Sequence, residues 1–168
     1  APPRTADPAW AQAWLNVDRA TRRVVHEHLA AQTELFEGAV FQLLPDVLPD
    51  DVTVYVGNSM PVRDLDTFLP SGPQPWRILS NRGANGIDGT VATALGVAAA
   101  SPGRTVLLIG DVALVHDLSS LLAVRRLGLD LTIVALNNDG GGIFHFLAVA
   151  EQRDAFEEHV ATPPQINL

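Results

Sequence analysis

Two apolar runs of strand length, residues 106–109 and 133–136, constrain the fold of this chain more than any other feature. A helix-length segment, residues 117–127, lies between them, so the stretch has the pattern of a strand, a crossover helix and a second strand. Strands joined in this way are parallel, and their carboxyl ends lie side by side. That edge is where open α/β sheets bind ligands. The pattern therefore predicts an α/β fold with a ligand site at the strand ends.

Polar residues and glycines follow both of these strands directly. Gly110, Asp111 and Val112 follow the first strand, and residues 137–142 (NNDGGG) follow the second. Asp111 and Asn138 are expected to face a common point, where a carboxylate and an amide oxygen suit a hard cation such as Mg2+. Taken singly, the two pieces also fit a helix N-cap and a turn. Their joint occurrence, each after an apolar strand, favours the cation site.

The remaining segments extend the alternation of strands and helices. Strands are predicted at 52–56, 77–80, 105–109 and 131–136, and helices at 88–100 and 117–127, with a polar helix near 150–159. Ser59 can cap a further short helix that has Pro61 in its first turn. The whole pattern predicts an α/β domain with a parallel sheet and helices on both faces.

The first part of the chain has a different pattern. Residues 1–48 are interpreted as a linker and a helical lead-in, and residues 49–168 as the α/β domain. Asp7 and Pro8 predict a helix start, since Asp is a favoured N-cap and Pro a favoured first helical residue. Trp10 and Trp14 recur at helical spacing and are interpreted as core or interdomain packing. A second helix is predicted from Thr33.

Composition excludes several classes of protein. The net charge of -8 disfavours nonspecific nucleic-acid binding, which needs a basic surface. The absence of cysteine excludes a disulfide framework and thiolate metal sites, and it fits a cytoplasmic protein. No apolar stretch reaches the roughly 18 residues of a membrane span. A length of 168 residues and 47% hydrophobic content predict a domain with a real core.

The Gly110-Asp111 and Asn137-Asn138 pair resembles the diphosphate-binding motif of thiamine diphosphate enzymes, with Val112 in place of the usual third-residue glycine. Three segments resemble, in order, the C-terminal part of the 2-succinyl-5-enolpyruvyl-6-hydroxy-3-cyclohexene-1-carboxylate synthase family within that group. They are residues 57–66 (GNSMPVRDLD), 81–89 (NRGANGIDG) and 137–144 (NNDGGGIF). The resemblance implies a thiamine diphosphate-binding α/β domain.

The resemblance also implies the cofactors and the residues that hold them. The cofactors are thiamine diphosphate and Mg2+, and the metal ligands are Asp111, Asn138 and the carbonyl of Gly140. Ile87 matches the bulky residue that bends the cofactor between its two rings. The implied cofactor site comprises Ile87, Gly110, Asp111, Val112, Asn138, Gly140 and Gly141.

A second group of residues is expected to face the substrates. Ser59 and Arg63 are four apart, so in a helix they share one face, where a guanidinium can bind a carboxylate. The alternative is an N-cap serine and an arginine paired with Asp64 or Asp66. The resemblance implies that the acidic substrates, isochorismate and 2-oxoglutarate, contact Ser59, Arg63 and Arg82. It further implies an apolar wall over the reacting centre, made of Ile143, Phe144 and Leu147.

The implied activity is decarboxylation of 2-oxoglutarate and addition of the succinyl unit to isochorismate, in menaquinone biosynthesis. That family has an additional N-terminal half carrying the activating Glu, so this chain is expected to be a C-terminal portion, truncated at its own end and inactive alone. The implied partners are that N-terminal domain and a second subunit, in a homodimer or homotetramer.

Besides a purely structural interdomain fragment, two alternative functions remain open from the sequence. One is another thiamine diphosphate-dependent 2-oxo-acid decarboxylase or synthase, which residues 58–63 disfavour because such enzymes do not generally share that segment. The other is a noncatalytic nucleotide-binding module, which would have a Gly-x-Gly-x-x-Gly turn after the first strand. Residues 57–62 (GNSMPV) lack that turn.

Overall fold

A four-stranded parallel sheet organises the protein in a computed structural model that describes residues 7–84 and 86–166. The strands are β1 (Thr53–Val56), β2 (Arg77–Leu79), β3 (Thr105–Gly110) and β4 (Leu131–Leu136), in the order β2-β1-β3-β4. The chain runs outward from β1 to β2, crosses back to β3, and continues outward to β4. The direction of winding therefore changes between β1 and β3, which is where sheets of this kind form a binding crevice.

Seven α-helices connect and flank these strands within the described residues. They are α1 (Pro8–Ala30), α2 (Glu37–Val47), α3 (Met60–Phe68), α4 (Thr90–Ala100), α5 (Asp111–His116), α6 (Leu122–Leu127) and α7 (Arg153–Phe156), the last continuing as a π-helical turn, Glu157–Ala161. Short 3-10 segments occupy Leu118–Leu121, Gly142–Phe146 and Ala148–Glu151. The predicted α/β fold with a parallel sheet and helices is confirmed.

The core has two parts, one on each face of the sheet. Alternate strand residues point to opposite faces, so Val54 and Leu108 pack on one side with Phe41 of α2. Tyr55 and Leu107 pack on the other side with Val91 of α4. Because helices cover both faces, all four residues of β1 are buried. α2 is thus part of the core, and the predicted domain division at residue 48 stays a prediction.

The crossover between β3 and β4 differs from its prediction. A helix was predicted over 117–127, but helical structure starts at once with α5 at Asp111 and is interrupted after His116. Asp117 has φ -112° and ψ 23°, outside the helical region. Its carboxylate accepts hydrogen bonds from Ser120 Oγ and from the Ala92 amide of α4. These contacts stabilise the break and dock the crossover on α4.

The first helix starts at the predicted residue, but its two tryptophans do not pack as expected. Asp7 caps it, accepting a hydrogen bond of 2.9 Å from the Ala9 amide. Trp10 and Trp14 are 66% and 62% exposed and contact each other edge-on, so the core interpretation is wrong for this chain. Interdomain packing of these rings remains a prediction. Across residues 7–84 and 86–166, no helix combines the length and apolarity that a membrane crossing requires.

Candidate functional site

A cleft of about 660 Å3 lies at the carboxyl edge of the sheet, over the point where the winding changes direction. Loops that follow all four strands contribute to its walls. The structure brings together in this cleft most of the residues expected from the sequence, which are Ser59, Arg63, Arg82, Ile87, Gly110, Asp111, Val112, Asn138, Gly140, Gly141, Ile143 and Phe144. Strands of a parallel sheet all end at one edge, and this explains the convergence.

Asp111 is the most enclosed ionisable residue of the cleft. It is the first residue of α5 and its exposed fraction is 1%. Its Oδ2 accepts a hydrogen bond of 2.8 Å from the Gly140 amide, 29 positions along the chain. This bond ties the loop after β4 to the end of β3. A buried carboxylate is held in one orientation in this way.

The loop after β4 has a tightly determined backbone. Asn137 Oδ1 accepts from the Asp139 amide at 3.1 Å, and Asp139 and Gly140 have φ of 57° and 135°. A Cβ on Gly140 would lie 2.7 Å from the carbonyl oxygen of Ala161, so this glycine is required by the fold. The Gly141 amide donates to that same carbonyl at 2.6 Å. Ala161, which follows α7 in the chain, therefore holds this loop in place through its backbone carbonyl.

Gly110 differs from Gly140, because its backbone conformation does not require glycine. Its φ of -73° and ψ of 157° are open to any residue. Beyond its chain neighbours, a Cβ at position 110 would have no heavy atom of the described residues within 4 Å. Neither backbone strain nor packing therefore requires a glycine at this position. The missing side chain leaves open space in the floor of the cleft beside Asp111.

The opposite wall is formed by the residues after β1 and β2. Arg63 Nη1 donates to the Ser59 carbonyl at 2.7 Å, and because α3 begins at Met60 the two residues are neighbours without sharing a helical face. Ser59 is the N-cap residue of α3, as the alternative interpretation has it, but its side chain makes no capping bond. Among the described residues no ion pair joins Arg63 to Asp64 or Asp66. Ser59 has φ of 71°, a costly backbone for a residue other than glycine.

Arg82 is positioned by a residue that the sequence motif contains but that was not predicted as part of the site. Asn58 accepts a hydrogen bond of 3.1 Å from Arg82 Nη1 and donates one of 2.9 Å to the Gly86 carbonyl. Asn58 lies two residues after the end of β1, as Asn138 does after β4, so the strand-end rule that selected Asn138 could have found it. Through these bonds it joins the loop after β2 to the end of β1.

The apolar residues divide into two groups. Ile87 is half-buried and packs against the core on the α4 side, at the rim of the cleft. Ile143 and Phe144 line the cleft from the 3-10 segment Gly142–Phe146. Leu147 follows that segment with an extended backbone, is 53% exposed and is not among the lining residues. A spacing of one and three shares a face only while the helix continues, and this one ends at Phe146.

Two carboxyl groups near the cleft carry shifted pKa values. Asp64 is 4% exposed, and its Oδ2 has no hydrogen-bond partner among the described residues. Burial, and secondarily the charge of Glu37, raise the pKa of Asp64 to about 6. Asp88 lines the cleft, and its hydrogen bond of 2.9 Å with His116 Nε2 lowers its pKa.

Glu37 is the residue of this site that sequence reasoning missed most completely. It lines the cleft from the start of α2, and its Oε1 accepts a hydrogen bond of 2.7 Å from Asn138 Nδ2. The two residues are separated by 101 positions, so no local pattern connects them. Thr162 also lines the cleft without a sequence signal.

Residues 63–167 match the sequence profile described as thiamine pyrophosphate enzyme, C-terminal TPP binding domain. The chain belongs to this family. Thiamine pyrophosphate and thiamine diphosphate are two names for one cofactor. The family assignment covers β2, β3, β4 and the loops that hold Asp111 and Asn138.

Similar proteins carry more specific names within the thiamine pyrophosphate enzyme family. The chain is 49% identical to a 2-succinyl-5-enolpyruvyl-6-hydroxy-3-cyclohexene-1-carboxylate synthase of Geobacillus thermodenitrificans, over 99% of this chain and 28% of that protein. It is 46% identical to the synthase of the same name from Chloroflexus aurantiacus, over 95% of this chain and 27% of that protein. The chain thus spans under a third of the length of these relatives.

A solved structure shares the fold. It is that of a provisionally assigned thiamin diphosphate-dependent enzyme from Mycobacterium smegmatis, with a TM-score of 0.52 and 25% sequence identity. The match covers 64% of this chain and 22% of that one. The parallel sheet and the family assignment therefore agree.

Proposed function

We propose that this chain forms the diphosphate- and Mg2+-binding part of the active site of a synthase that decarboxylates 2-oxoglutarate and adds the succinyl unit to isochorismate in menaquinone biosynthesis. One observation carries the proposal: a single cleft has Asp111, Asn138 and Gly140 on one wall and Arg63 and Arg82 on the other. The names of the relatives support the choice of reaction.

The donor atoms of the first wall fit a cofactor diphosphate bound through Mg2+. Asp111 would supply an anionic ligand, and Asn138 Oδ1 and the Gly140 carbonyl would supply neutral oxygens. The Gly140 carbonyl accepts from the Gly142 amide at 3.0 Å, and a carbonyl has a second lone pair for a cation. The described residues contain no cluster of three His, Cys, Asp or Glu side chains, so phosphate oxygens would complete the shell.

The open space at Gly110 supports the same fit. Among the described residues nothing requires a glycine at position 110, which lines the cleft next to Asp111 in the chain. A diphosphate that approaches the backbone closely needs such a position. Val112 and Gly141 line the adjoining surface.

The remaining side chains bind, orient and exclude water. When bound, thiamine diphosphate supplies the carbon nucleophile and the electron sink that loss of CO2 from a 2-oxo acid requires. Arg63 and Arg82 would hold the carboxylates of the two dicarboxylate substrates, with Ser59 as a further polar contact. Ile143 and Phe144 would exclude water from the reacting centre, and Ile87 would support the cofactor's bent form. Leu147 would join this wall only after a change of the segment that follows Phe146.

The complete enzyme would need further parts. The family's activating Glu belongs to an N-terminal domain, and the site would be completed by a second subunit of a homodimer or homotetramer. The 168 residues alone are therefore expected to give no turnover.

The test is Asp111→Ala in the full-length protein that carries this chain. Loss of the buried carboxylate leaves the cation with neutral protein ligands, so Mg2+-dependent binding of thiamine diphosphate should disappear in titration calorimetry. Asp66→Ala, which removes an exposed carboxylate of α3, is the matched control and should bind as the wild type does. Circular dichroism checks that both variants fold.

Two outcomes would contradict the proposal at different levels. Unchanged cofactor affinity in folded Asp111→Ala would show that the metal assignment is wrong. A wild-type protein that binds the cofactor but turns over other 2-oxo acids, and not 2-oxoglutarate with isochorismate, would be a different thiamine diphosphate-dependent decarboxylase or synthase.

A further inference from the structure

The hydrogen bond between Glu37 and Asn138 determines which way an amide group points. A carboxylate accepts hydrogen bonds and has no hydrogen to donate, so only the nitrogen of the Asn138 amide can face Glu37. The observed contact, Asn138 Nδ2 to Glu37 Oε1 at 2.7 Å, has this arrangement. The amide oxygen of Asn138 is consequently directed away from Glu37.

The support for Glu37 is rigid. Gly38, the next residue, is buried, and a Cβ there would lie 2.6 Å from ring atoms of both Phe36 and Phe68. Those two rings contact each other edge-on with centroids 5.4 Å apart. The start of α2 is therefore packed closely against α3, and the Glu37 backbone has little freedom to shift.

Gly142 leaves room for the amide of Asn138 in this position. A Cβ on Gly142 would lie 2.7 Å from Asn138 Nδ2 and 3.3 Å from its Cγ. A larger residue at 142 would therefore displace the amide. The direction of the amide is set by its hydrogen bond to Glu37.

We propose that Glu37 is a positioning residue, which orients the Asn138 amide so that its oxygen is presented to the cation of the cofactor site. This inference rests on the proposed function. Without Glu37 the amide can turn by half a rotation and present its NH2 group, which repels a cation. Groups that orient metal ligands in this way act through hydrogen bonds to the ligand and do not themselves touch the metal.

A competing role for Glu37 is direct attraction of the cation by its own charge. The two roles differ in what a neutral acceptor does. Glutamine at position 37 has no charge, but its carbonyl oxygen accepts a hydrogen bond from Asn138 as the carboxylate does. If Glu37 positions Asn138, the Glu37→Gln variant should keep its Mg2+ affinity. If Glu37 attracts the cation by its charge, that variant should lose affinity.

The experiment measures the Kd of Mg2+ by calorimetry at saturating thiamine diphosphate, and the Tm of the cofactor-free protein, in full-length variants. Glu37→Ala should raise the Kd of Mg2+ by about 10- to 100-fold, the usual effect of losing a group that orients a metal ligand. Glu37→Gln should keep most of the wild-type affinity. Glu34→Gln, an exposed glutamate before α2, is the control and should change nothing.

A double variant tests the positioning role without relying only on the single substitutions of Glu37. In Asn138→Asp the two side-chain oxygens are equivalent, so no orientation is needed, and Glu37 becomes a like-charged neighbour. Adding Glu37→Ala to Asn138→Asp should therefore leave Mg2+ affinity unchanged or improve it, the opposite sign to its effect in the wild type.

The outcomes separate this inference from the proposed function. Wild-type-like Mg2+ affinity in Glu37→Ala, or an equal loss in Glu37→Gln and Glu37→Ala, would overturn the positioning role while the cofactor site stands. A wild-type protein that binds no Mg2+ with thiamine diphosphate would overturn both.

Discussion

The two walls of the cleft differ in how deeply their polar groups are buried. On the wall after β3 and β4, Asp111 is buried and receives a backbone hydrogen bond, and Gly140 is buried against the Ala161 carbonyl. On the wall after β1 and β2, Arg63 and Arg82 are exposed long side chains. A buried carboxylate with a fixed partner suits a ligand held in one place, such as a cofactor diphosphate. Both guanidinium groups are exposed and each is hydrogen-bonded, Arg63 to the Ser59 carbonyl and Arg82 to Asn58, so a planar fork is presented at the surface where a carboxylate can bind.

The first wall contains an internal comparison of its own. Gly140 and Gly110 both line the cleft, but the fold requires only the first. Comparing the two glycines therefore separates a requirement of the fold at Gly140 from the ligand contact that is proposed for Gly110.

The largest effect is expected from alanine at these two positions. Gly140→Ala should destabilise the cofactor-free protein by about 2–5 kcal/mol, because its φ is positive and the new Cβ contacts the Ala161 carbonyl. Gly110→Ala should leave that stability equal or raise it by about 0.4–1 kcal/mol. It should instead weaken thiamine diphosphate binding, by about ten- to a hundred-fold if the methyl group costs about 1–3 kcal/mol of overlap. Thermal unfolding and calorimetry measure the two effects.

One result would contradict the role that is proposed for Gly110. If Gly110→Ala binds thiamine diphosphate as tightly as the wild type does, the open space beside Asp111 is not the diphosphate site.

A smaller effect is expected on the second wall. Arg63→Ala should lower kcat/KM for the acidic substrates by about ten- to a hundred-fold, since a charge-assisted hydrogen bond contributes about 1.5–3 kcal/mol. Arg63→Lys should restore only part of this, because lysine lacks the planar fork. Cofactor affinity should stay at the wild-type value. Steady-state kinetics beside cofactor titration is the measurement, with Arg126→Ala, on the exposed surface of α6, as the control.

The opposite result would reverse the assignment of the walls. If Arg63→Ala keeps wild-type substrate kinetics but binds the cofactor less tightly, Arg63 either belongs to the diphosphate site or stabilises the fold.

The smallest effect concerns a buried carboxyl on the arginine side. Unlike Asp111, Asp64 leaves one carboxyl oxygen without a partner among the described residues, and burial raises its pKa from 3.8 to about 6. The folded state then binds more protons than the unfolded state between these values, so the free energy of unfolding falls as pH rises from about 4 to about 6. Asp64→Asn should be about 1–2 kcal/mol more stable than the wild type above pH 6, and equal near pH 4.

Denaturant unfolding at several pH values checks this dependence. A difference between Asp64→Asn and the wild type that does not change with pH would show that Asp64 is ionised throughout in the folded protein.

Local patterns predicted the strands and several helix limits well. β4 occupies the predicted residues 131–136, β3 extends the prediction by one residue, and α1 begins at its predicted cap. The errors have tertiary causes. Asp117 interrupts the crossover helix because its carboxylate binds α4, and Leu147 leaves the apolar face because the 3-10 segment ends before it. Trp10 and Trp14 have the spacing of a packed face but are exposed.

Which residues stand at the strand ends follows from the amino-acid sequence alone. Apolar runs specify buried strands, the crossover pattern makes them parallel, and the polar residues that follow, Asp111 and Asn138, must then meet at one edge. Tertiary structure alone decided how those residues are held. The bond of Gly140 to Asp111, the support of the loop by Ala161 and the contact of Glu37 with Asn138 join distant segments. Periodicity reports which side of an element is buried, whereas the identity of a distant partner depends on how the elements pack together.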